Sequence, residues 1–210
     1  MNYEELLKIT YTDNVSTLKL TERLCLDVIK NGIEGDFCEA GVAYGAHGLV
    51  MNDVAKGQKV WLFDSFEGIP QYGKEDTEFN ESYGQGTGVK NMTTGITVCH
   101  LIDVIETMTR YAKLDNITFI KGWFCDTLPK VEKTQKFSIL RLDCDIYHSY
   151  MDCFKYLLPR LQQGGWLIVD DWVLQGCKQA ITDSGLKLDS FTVENDIAYL
   201  QWGTQDSQSN

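Results

Sequence analysis

Short apolar runs alternate with longer amphipathic segments along most of the chain. Apolar runs bounded by glycine or aspartate are typical of buried parallel strands, and apolar residues three and four positions apart are typical of helices. This alternation predicts an α/β fold with a mostly parallel sheet. The predicted strands are 35–40, 59–64, 116–120, 137–142 and 166–169, with a closing pair at 186–193 and 197–202. The predicted helices are two within 3–31, the second from about 16 to 30, followed by 49–55, 96–112, 150–161 and 172–182.

A single domain is the expected organisation, because 210 residues are enough to bury a sizeable core. We predict N-terminal helices over residues 1–34, a polar tail over 203–210, and a long polar, glycine-rich stretch from about 71 to 94. A loop this long inside a compact domain is usually a lid or a binding loop, and plain disorder is the alternative.

The composition argues against several kinds of partner. The formal net charge is -11, from 30 acidic and 19 basic residues, which disfavours nucleic acid and anionic membranes. No apolar run approaches the ~20 residues that a membrane-spanning helix needs. The polar, acidic residues 1–5 are unlike a signal peptide. Seven cysteines without a C-x-x-C pair then predict a reducing, cytoplasmic location, with the cysteines used for packing.

Four aspartates follow two of the predicted strands. Asp143 and Asp145 come after 137–142, and Asp170 and Asp171 come after 166–169. The carboxyl ends of parallel strands form the ligand-binding edge of an open sheet, so these carboxylates should meet there. They repel one another unless a cation neutralises them, and Mg²⁺ prefers such oxygen ligands. For any one aspartate taken alone, a strand-end or helix-capping role is the alternative.

The first predicted strand leads into a glycine turn and then a helix. Gly41 and Gly45 allow the backbone to approach a ligand closely, and the helix start offers N–H groups. The second strand ends in Asp64, and an acid there commonly binds a ribose in nucleotide-binding sheets. A glycine turn alone is weak evidence. The fingerprint G-x-G-x-x-G is absent, which argues against an NAD-dependent oxidoreductase.

Five motifs in order are more specific. They are GDFCEAGV at 35–42, DSFEGIP at 64–70, GWFCDTLP at 122–129, LRLDCDIY at 140–147 and GGWLIVDD at 164–171. Together they closely resemble the macrocin O-methyltransferase (TylF) family, which uses S-adenosylmethionine and Mg²⁺ to methylate sugar hydroxyls on natural products such as macrolides and aminocoumarins. The resemblance implies a Rossmann-like class I methyltransferase fold, with a mostly parallel seven-stranded sheet, an antiparallel terminal strand and helices on both faces.

The resemblance also implies roles for individual residues. The methionine part of the cofactor would contact Glu39, Gly41, Tyr44 and Gly45, the ribose Asp64 and Ser65, and the adenine Trp123, Phe124 and Asp126. The metal ligands would be Asp143, Asp170 and Asp171, and the general base Asp145. From the residues alone, a helix cap is the alternative for Asp126, and Arg141 on its buried strand should pair with a neighbouring acid.

Two departures from the family concern the acceptor. About 34 residues precede the first strand, where relatives are usually longer, and His148 stands where many relatives have glutamate after D-x-D-x-Tyr. His148 is therefore a candidate for contact with the acceptor or for an auxiliary base, whereas we expect a surface or packing role for His47.

The expected function is methyl transfer from S-adenosylmethionine to a metal-chelated hydroxyl of a sugar or glycosylated natural product, by an enzyme that forms a homodimer or larger assembly. A catechol-type phenol O-methyltransferase is an alternative, although the usual lysine base of that type would fall near Ile146. A cofactor-binding module without catalysis is the other, and retention of all four aspartates argues against it.

Overall fold

Seven strands form one sheet in a computed structural model that describes residues 1–10, 14–76 and 97–203. In chain order the strands are β1 Asp36–Ala40, β2 Val60–Asp64, β3 Ile117–Lys121, β4 Phe137–Leu142, β5 Leu161–Val169, β6 Thr192–Glu194 and β7 Ile197–Gln201. Their order across the sheet is β3-β2-β1-β4-β5-β7-β6. Strands β1 to β5 are mutually parallel, and β7 pairs antiparallel with both β5 and β6. The predicted fold class is confirmed, and β7 is the antiparallel strand.

Helices pack on both faces of this sheet. The α-helices are α1 Tyr3–Leu6, α2 Val15–Lys30, α3 Ala46–Val54, α4 Leu101–Thr109, α5 Phe124–Thr127, α6 Tyr147–Tyr156 and α7 Gln175–Asp183. Short 3₁₀ helices lie at Leu7–Ile9, Lys74–Asp76, Leu128–Lys130, Leu158–Arg160 and Leu188–Ser190. Side chains from α2, α3 and α4 fill the core on one face, and side chains from α6 and α7 fill the core on the other. Within the described residues, no helix has the length and apolar content needed to cross a bilayer.

The two cores follow from the alternation of side chains along each strand. In β1, Phe37 belongs to the core under α2 and α3, and the next residue, Cys38, belongs to the core under α6 and α7. Every residue of β4 is buried, since this strand lies at the centre of the sheet between β1 and β5. That burial explains why 137–142 reads as a nearly continuous apolar run.

The strand order reverses direction at β1, which lies between β2 and β4. Consecutive crossovers therefore leave in opposite directions, and a crevice opens at the carboxyl ends of these strands. The register aligns the ends closely, with Ala40 opposite Leu142 and Leu142 opposite Val169. The residues that follow β1, β4 and β5 therefore meet at one edge, as predicted.

Several predicted boundaries were wrong by a few residues. Helix α3 begins at Ala46 and not at 49, α6 at Tyr147 and not at 150, and α7 at Gln175 and not at 172. Strand β5 begins at Leu161 and includes the two glycines that we expected to form a turn before it.

Two predicted segments are described only in part. The predicted 71–94 loop is described to residue 76, where it forms the 3₁₀ helix Lys74–Asp76, and its remainder lies outside the described residues. Of the predicted polar tail, only Gly203 is described.

Candidate active site

A cavity of about 580 Å³ lies at the carboxyl edge of the sheet. Its wall is built mainly from the segments that follow β1, β2, β4 and β5, together with α5 and the start of α6. The predicted site residues in that wall are Glu39, Gly41, Asp64, Ser65, Trp123, Phe124, Asp143, Asp145, Asp170 and Asp171. The predicted cofactor turn and the predicted metal carboxylates therefore line the same cavity.

The glycine turn after β1 has no room for a side chain. Gly41 has φ +86°, and a Cβ built there would lie 1.7 Å from the carbonyl oxygen of Asp143. The turn and the loop after β4 are thus in backbone contact, which only glycine permits. Gly45 also has positive φ and forms the N-cap of α3. It is buried and does not line the cavity, and neither does the half-buried Tyr44.

The carboxylate of Asp64 ties the end of β2 to that turn. Its Oδ2 accepts a hydrogen bond from Val42 N at 2.7 Å, and its Oδ1 accepts one from Phe66 N at 2.7 Å. Burial raises the pKa of Asp64, the two backbone hydrogen bonds oppose that shift, and the nearby charge of Asp143 adds to it. The Asp64 carboxylate thus has a fixed orientation at the cavity wall, as a hydrogen-bond acceptor for a ligand must.

Ser65 is buried beside Asp64 and shapes the next turn. Its hydroxyl donates to Gly68 O at 2.9 Å and accepts from Glu67 N at 3.0 Å. These contacts give Ser65 a structural role in the loop, in addition to its place in the cavity wall.

Arg141 is the central cation of the site. It lies on β4 with a fully buried side chain. Its Nη1 donates to Glu39 Oε1 at 3.2 Å and to Asp143 Oδ2 at 3.0 Å, and its Nη2 donates to Asp170 Oδ1 at 2.6 Å. The prediction that Arg141 pairs with a neighbouring acid is confirmed, and the pairing extends to three acids on three segments.

Three of the four aspartates form a compact group. Carboxylate oxygens of Asp143, Asp145 and Asp171 all lie within 4.8 Å of one another. Asp170 lies beside this group, and one of its oxygens is bonded to Arg141. Oxygen donors in this arrangement are of the chemical type that hard divalent cations require.

Hydrogen bonds hold Asp171 and Asp145 in place. Asp171 Oδ2 accepts from Tyr150 Oη at 2.7 Å and from the backbone N–H of Asp145 at 2.8 Å. Asp145 itself has φ +61°, an uncommon backbone conformation for a residue with a side chain. The hydrogen bond to Asp171 therefore helps to stabilise a strained loop at the cavity wall.

Crowding of these carboxylates affects their protonation. Burial, and then the charge of Asp143, raise the pKa of Asp171 to about 7, against the opposing hydrogen bonds from Tyr150 and Asp145 N and the charge of Arg141. Burial and the neighbouring aspartates also raise the pKa of Asp145 well above its usual range. A bound cation would favour the charged forms of both groups.

The predicted adenine residues divide into two groups. Trp123 and Phe124 line the cavity at the start of α5, whereas Asp126 is exposed and does not line it. The backbone N–H of Asp126 bonds to Trp123 O at 3.0 Å, within the first turn of α5. The N-cap residues of α5 and of the 3₁₀ helix that follows it are Trp123 and Thr127, so the structure does not assign the helix-cap role to Asp126 either.

The histidines behave differently from each other. His47 is buried, with Nδ1 2.8 Å from Thr21 Oγ1, and it lines the cavity as part of α3. Its packing contact agrees with the expectation, but its place in the wall was not predicted. His148 is exposed at the start of α6 and also lines the cavity, as expected of a residue near the acceptor.

Several further cavity residues were missed. They are Ile9, Thr10, Thr97, Ser149 and Asp152, whereas Gln71 begins the predicted 71–94 loop. None belongs to a motif, and only the helical position of Asp152, one turn after His148, was available as a signal.

Comparison with known proteins places these observations in a family. The family model for macrocin O-methyltransferase (TylF) matches residues 14–200. The 8-demethyl-8-(2,3-dimethoxy-alpha-L-rhamnosyl)-tetracenomycin-C 4'-O-methyltransferase of Streptomyces olivaceus is 33% identical over 162 residues, which cover 74% of this chain and 60% of that protein. The demethyldecarbamoylnovobiocin O-methyltransferase of Streptomyces niveus is 31% identical over 191 residues, which cover 85% of this chain and 71% of that protein.

A solved structure supports the same assignment. The O-methyltransferase NovP superimposes with a TM-score of 0.75 at 29% identity, over 90% of this chain and 80% of that one. The chain spans 60% and 71% of the length of the two relatives, and the family match includes six strands and all but the last residue of β7. The chain belongs to the TylF family of macrocin O-methyltransferases.

Proposed function

We propose that this protein transfers a methyl group from S-adenosylmethionine to a hydroxyl of a sugar in a glycosylated product, with help from a divalent cation such as Mg²⁺. One observation carries the proposal: the glycine turn at Gly41, the Asp64 carboxylate and the aspartate group all line a single cavity. The names of both relatives describe O-methyltransferases, and the Streptomyces olivaceus enzyme acts on a product that bears a rhamnosyl group.

The residues around the turn suit the cofactor. Asp64 would accept hydrogen bonds from the ribose hydroxyls, since backbone N–H groups already orient its carboxylate. Trp123 and Phe124 offer apolar surface for the adenine. Glu39 lies at the end of β1 beside Gly41, in reach of the methionine part.

The aspartates suit a cation. Asp143 and Asp171 belong both to the predicted ligand set and to the compact group of oxygens, so we assign them as ligands. We retain Asp170 as the third ligand, oriented by Arg141 in the way that a hydrogen bond from a neighbouring residue orients many metal-binding carboxylates. Asp145 remains the proposed general base, which would accept the hydroxyl proton at a carboxylate oxygen in the cavity wall.

The bound groups supply the rest of the chemistry: S-adenosylmethionine provides an electrophilic methyl on sulfur, and a divalent cation provides positive charge that makes a nearby hydroxyl more acidic. The protein's own task is to hold the hydroxyl in line with that methyl and to exclude water. The cavity, with His148, Ser149 and Gln71 at its wall, provides the polar surface for the acceptor.

Calorimetric titration of S-adenosylhomocysteine, with and without Mg²⁺, tests the cofactor site. We expect binding to the natural protein and binding at least about tenfold weaker for Asp64→Asn, because a charge-assisted hydrogen bond is lost. Asp115→Asn is the matched control, since Asp115 is exposed and does not line the cavity. Absence of binding to the natural protein would disprove the proposal.

A second titration separates Asp145 from Asp170. With Mg²⁺ as the titrant, Asp170→Asn should weaken binding by at least about tenfold, as loss of a ligand does, whereas Asp145→Asn should change it little. Methyl transfer to a rhamnoside with vicinal hydroxyls should be lost in both variants. The reverse pattern of Mg²⁺ affinities would make Asp145 the third ligand.

The cytoplasmic location, the single domain and the homo-oligomeric state stay predictions. Size-exclusion chromatography with light scattering tests the last of these.

A further inference from the structure

Asp76 is a buried carboxylate outside the cavity wall. It ends the 3₁₀ helix Lys74–Asp76 and is 1% exposed. Its Oδ2 accepts a hydrogen bond from Gly73 N at 2.9 Å, within its own turn. Its Oδ1 accepts one from Tyr147 N at 2.8 Å, which joins the segment after β2 to the start of α6.

Helix α6 has no capping side chain at its own N-cap position. Its N-cap residue is Ile146, whose side chain cannot accept a hydrogen bond from the first turn. The Asp76 carboxylate performs that task from a distant part of the chain. It satisfies the N–H of the first helical residue, and its negative charge interacts favourably with the helix dipole.

The capped helix directly follows the aspartate loop of the proposed metal site. Asp145 N donates to Asp171 Oδ2 at 2.8 Å, and two residues later Tyr147 N donates to Asp76. The loop from Asp143 to Tyr147 is therefore bonded to two carboxylates from other segments. Because Asp145 has positive φ, the loop conformation depends on such external bonds.

Helix α7 packs against Asp76 through Gly176. A Cβ built on Gly176 would lie 2.0 Å from Asp76 Oδ1, so the carboxylate occupies the space that a side chain at 176 would need. The absence of a side chain at 176 thus allows the contact between Asp76 and α6.

We propose that Asp76 is a positioning residue for the proposed metal site: it caps α6 in trans and thereby sets the conformation of the loop that carries Asp143 and Asp145. This inference rests on the proposed function only in assigning Mg²⁺ to that loop. It gives the start of the 71–94 stretch a role that no motif indicated.

Mg²⁺ titration of Asp76→Ala tests the inference. We expect Mg²⁺ affinity about five- to tenfold weaker, near the lower end of the loss seen when a residue supporting a metal ligand is removed. Affinity for S-adenosylhomocysteine should stay within twofold, because Asp76 does not line the cavity. Asp76→Asn keeps one acceptor oxygen and should fall between Asp76→Ala and the natural protein. Asp183→Ala is the control, since it removes the acceptor for the hydroxyl of the same Tyr147 at the surface.

Gly176→Ala provides an independent route to the same contact. The added methyl should displace the Asp76 carboxylate and weaken Mg²⁺ binding, and it should have little further effect in the Asp76→Ala background, where the clash is absent. Faster amide exchange at Tyr147 should accompany each single variant. Unchanged Mg²⁺ affinity in folded Asp76→Ala and Gly176→Ala, or equal losses of Mg²⁺ and S-adenosylhomocysteine binding, would overturn the inference. Absence of both ligands from the natural protein would instead disprove the proposed function.

Discussion

Arg141 allows several carboxylates to coexist at the end of the central strands. It is fully buried and donates to Glu39, Asp143 and Asp170. Arg141→Met keeps an unbranched apolar side chain and removes the guanidinium charge, so these acids lose their buried counter-ion. We expect the free energy of unfolding to fall by about 3 to 5 kcal/mol in urea titrations. Mg²⁺ should recover part of the loss, since it would supply positive charge to the same acids.

Arg23→Met is the matched control for that prediction. Arg23 pairs with Glu194 at 2.8 Å, but both side chains are about half exposed, with relative exposures of 54% and 41%. An exposed ion pair contributes less than about 1 kcal/mol. Equal effects of the two substitutions would contradict the central role of Arg141.

Gly41 tests the backbone contact between the cofactor turn and the aspartate loop. Gly41→Ala should weaken S-adenosylhomocysteine binding by at least about tenfold and lower stability, because its Cβ would meet the carbonyl of Asp143. Gly57→Ala is the control that separates the cost of a positive φ from the cost of a steric clash. Gly57 has φ +107° with no atom near its Cβ position, so it should cost only about 1 to 2 kcal/mol and leave binding unchanged. Weakened binding in Gly57→Ala would indicate a general loss of folding.

The sequence predicts that the four aspartates lie at one edge of the sheet, but it does not predict which partner each carboxylate binds. Asp170 and Asp171 are consecutive, yet one carboxylate bonds to Arg141 and the other to Tyr150. That division depends on side-chain direction at the end of β5, which spacing along the chain does not encode. The family resemblance supplied roles for both residues but no contacts.

At the scale of elements, the predicted strands occur in the predicted order, and most errors lie at the ends of elements. Helix α5 was not predicted, and the predicted strand 186–193 contains the 3₁₀ helix Leu188–Ser190 before the short strand β6. The two glycines before Trp166 suggested a turn, but both lie within β5. A Cβ on Gly165 would lie 2.6 Å from Ser138 O on the adjacent strand, so the glycine serves close approach of two backbones. Helix α6 begins three residues before its predicted start. Its first N–H is capped by Asp76, which is distant in the sequence and so gave no local signal.

The contact between α2 and α3 links the N-terminal helices to the site. Thr21 on α2 is buried and bonds to His47, which lines the cavity. Thr21→Val keeps the shape and removes the hydroxyl, so we expect a loss of about 1 to 2 kcal/mol in the free energy of unfolding. S-adenosylhomocysteine affinity should fall several-fold, as measured by calorimetry.

Thr109→Val is the control for that effect. Thr109 is exposed at the end of α4, and its hydroxyl donates to Glu106 O in the same helix. Substitution there should change stability by less than about 0.5 kcal/mol and leave ligand affinity unchanged. An unchanged affinity in Thr21→Val would mean that α2 does not influence the site.

At the scale of the whole molecule, the strand order determines where chemistry occurs. The reversal at β1 opens the crevice, and part of the acidic excess behind the net charge of -11 lines it. Among the described residues, seven carboxylates line the cavity: Glu39, Asp64, Asp143, Asp145, Asp152, Asp170 and Asp171. Along the described part of the wall there is no lysine or arginine, and Arg141 lies behind the surface.

The acidic cavity wall predicts that the acceptor is neutral or positively charged. A neutral or amino-bearing glycoside enters without repulsion, whereas the same sugar on a nucleoside diphosphate brings negative charge into an acidic cavity. We expect kcat/KM for a neutral rhamnoside to exceed that for the nucleoside-diphosphate sugar by at least about tenfold at low salt, with Mg²⁺ held in excess. The preference should shrink as NaCl rises, since salt screens the repulsion. In Asp152→Asn, which removes a cavity carboxylate outside the proposed metal set, the discrimination should also decrease. Equal turnover of the two compounds at low salt would contradict this prediction, because the acidic wall would then have no influence on the choice of acceptor.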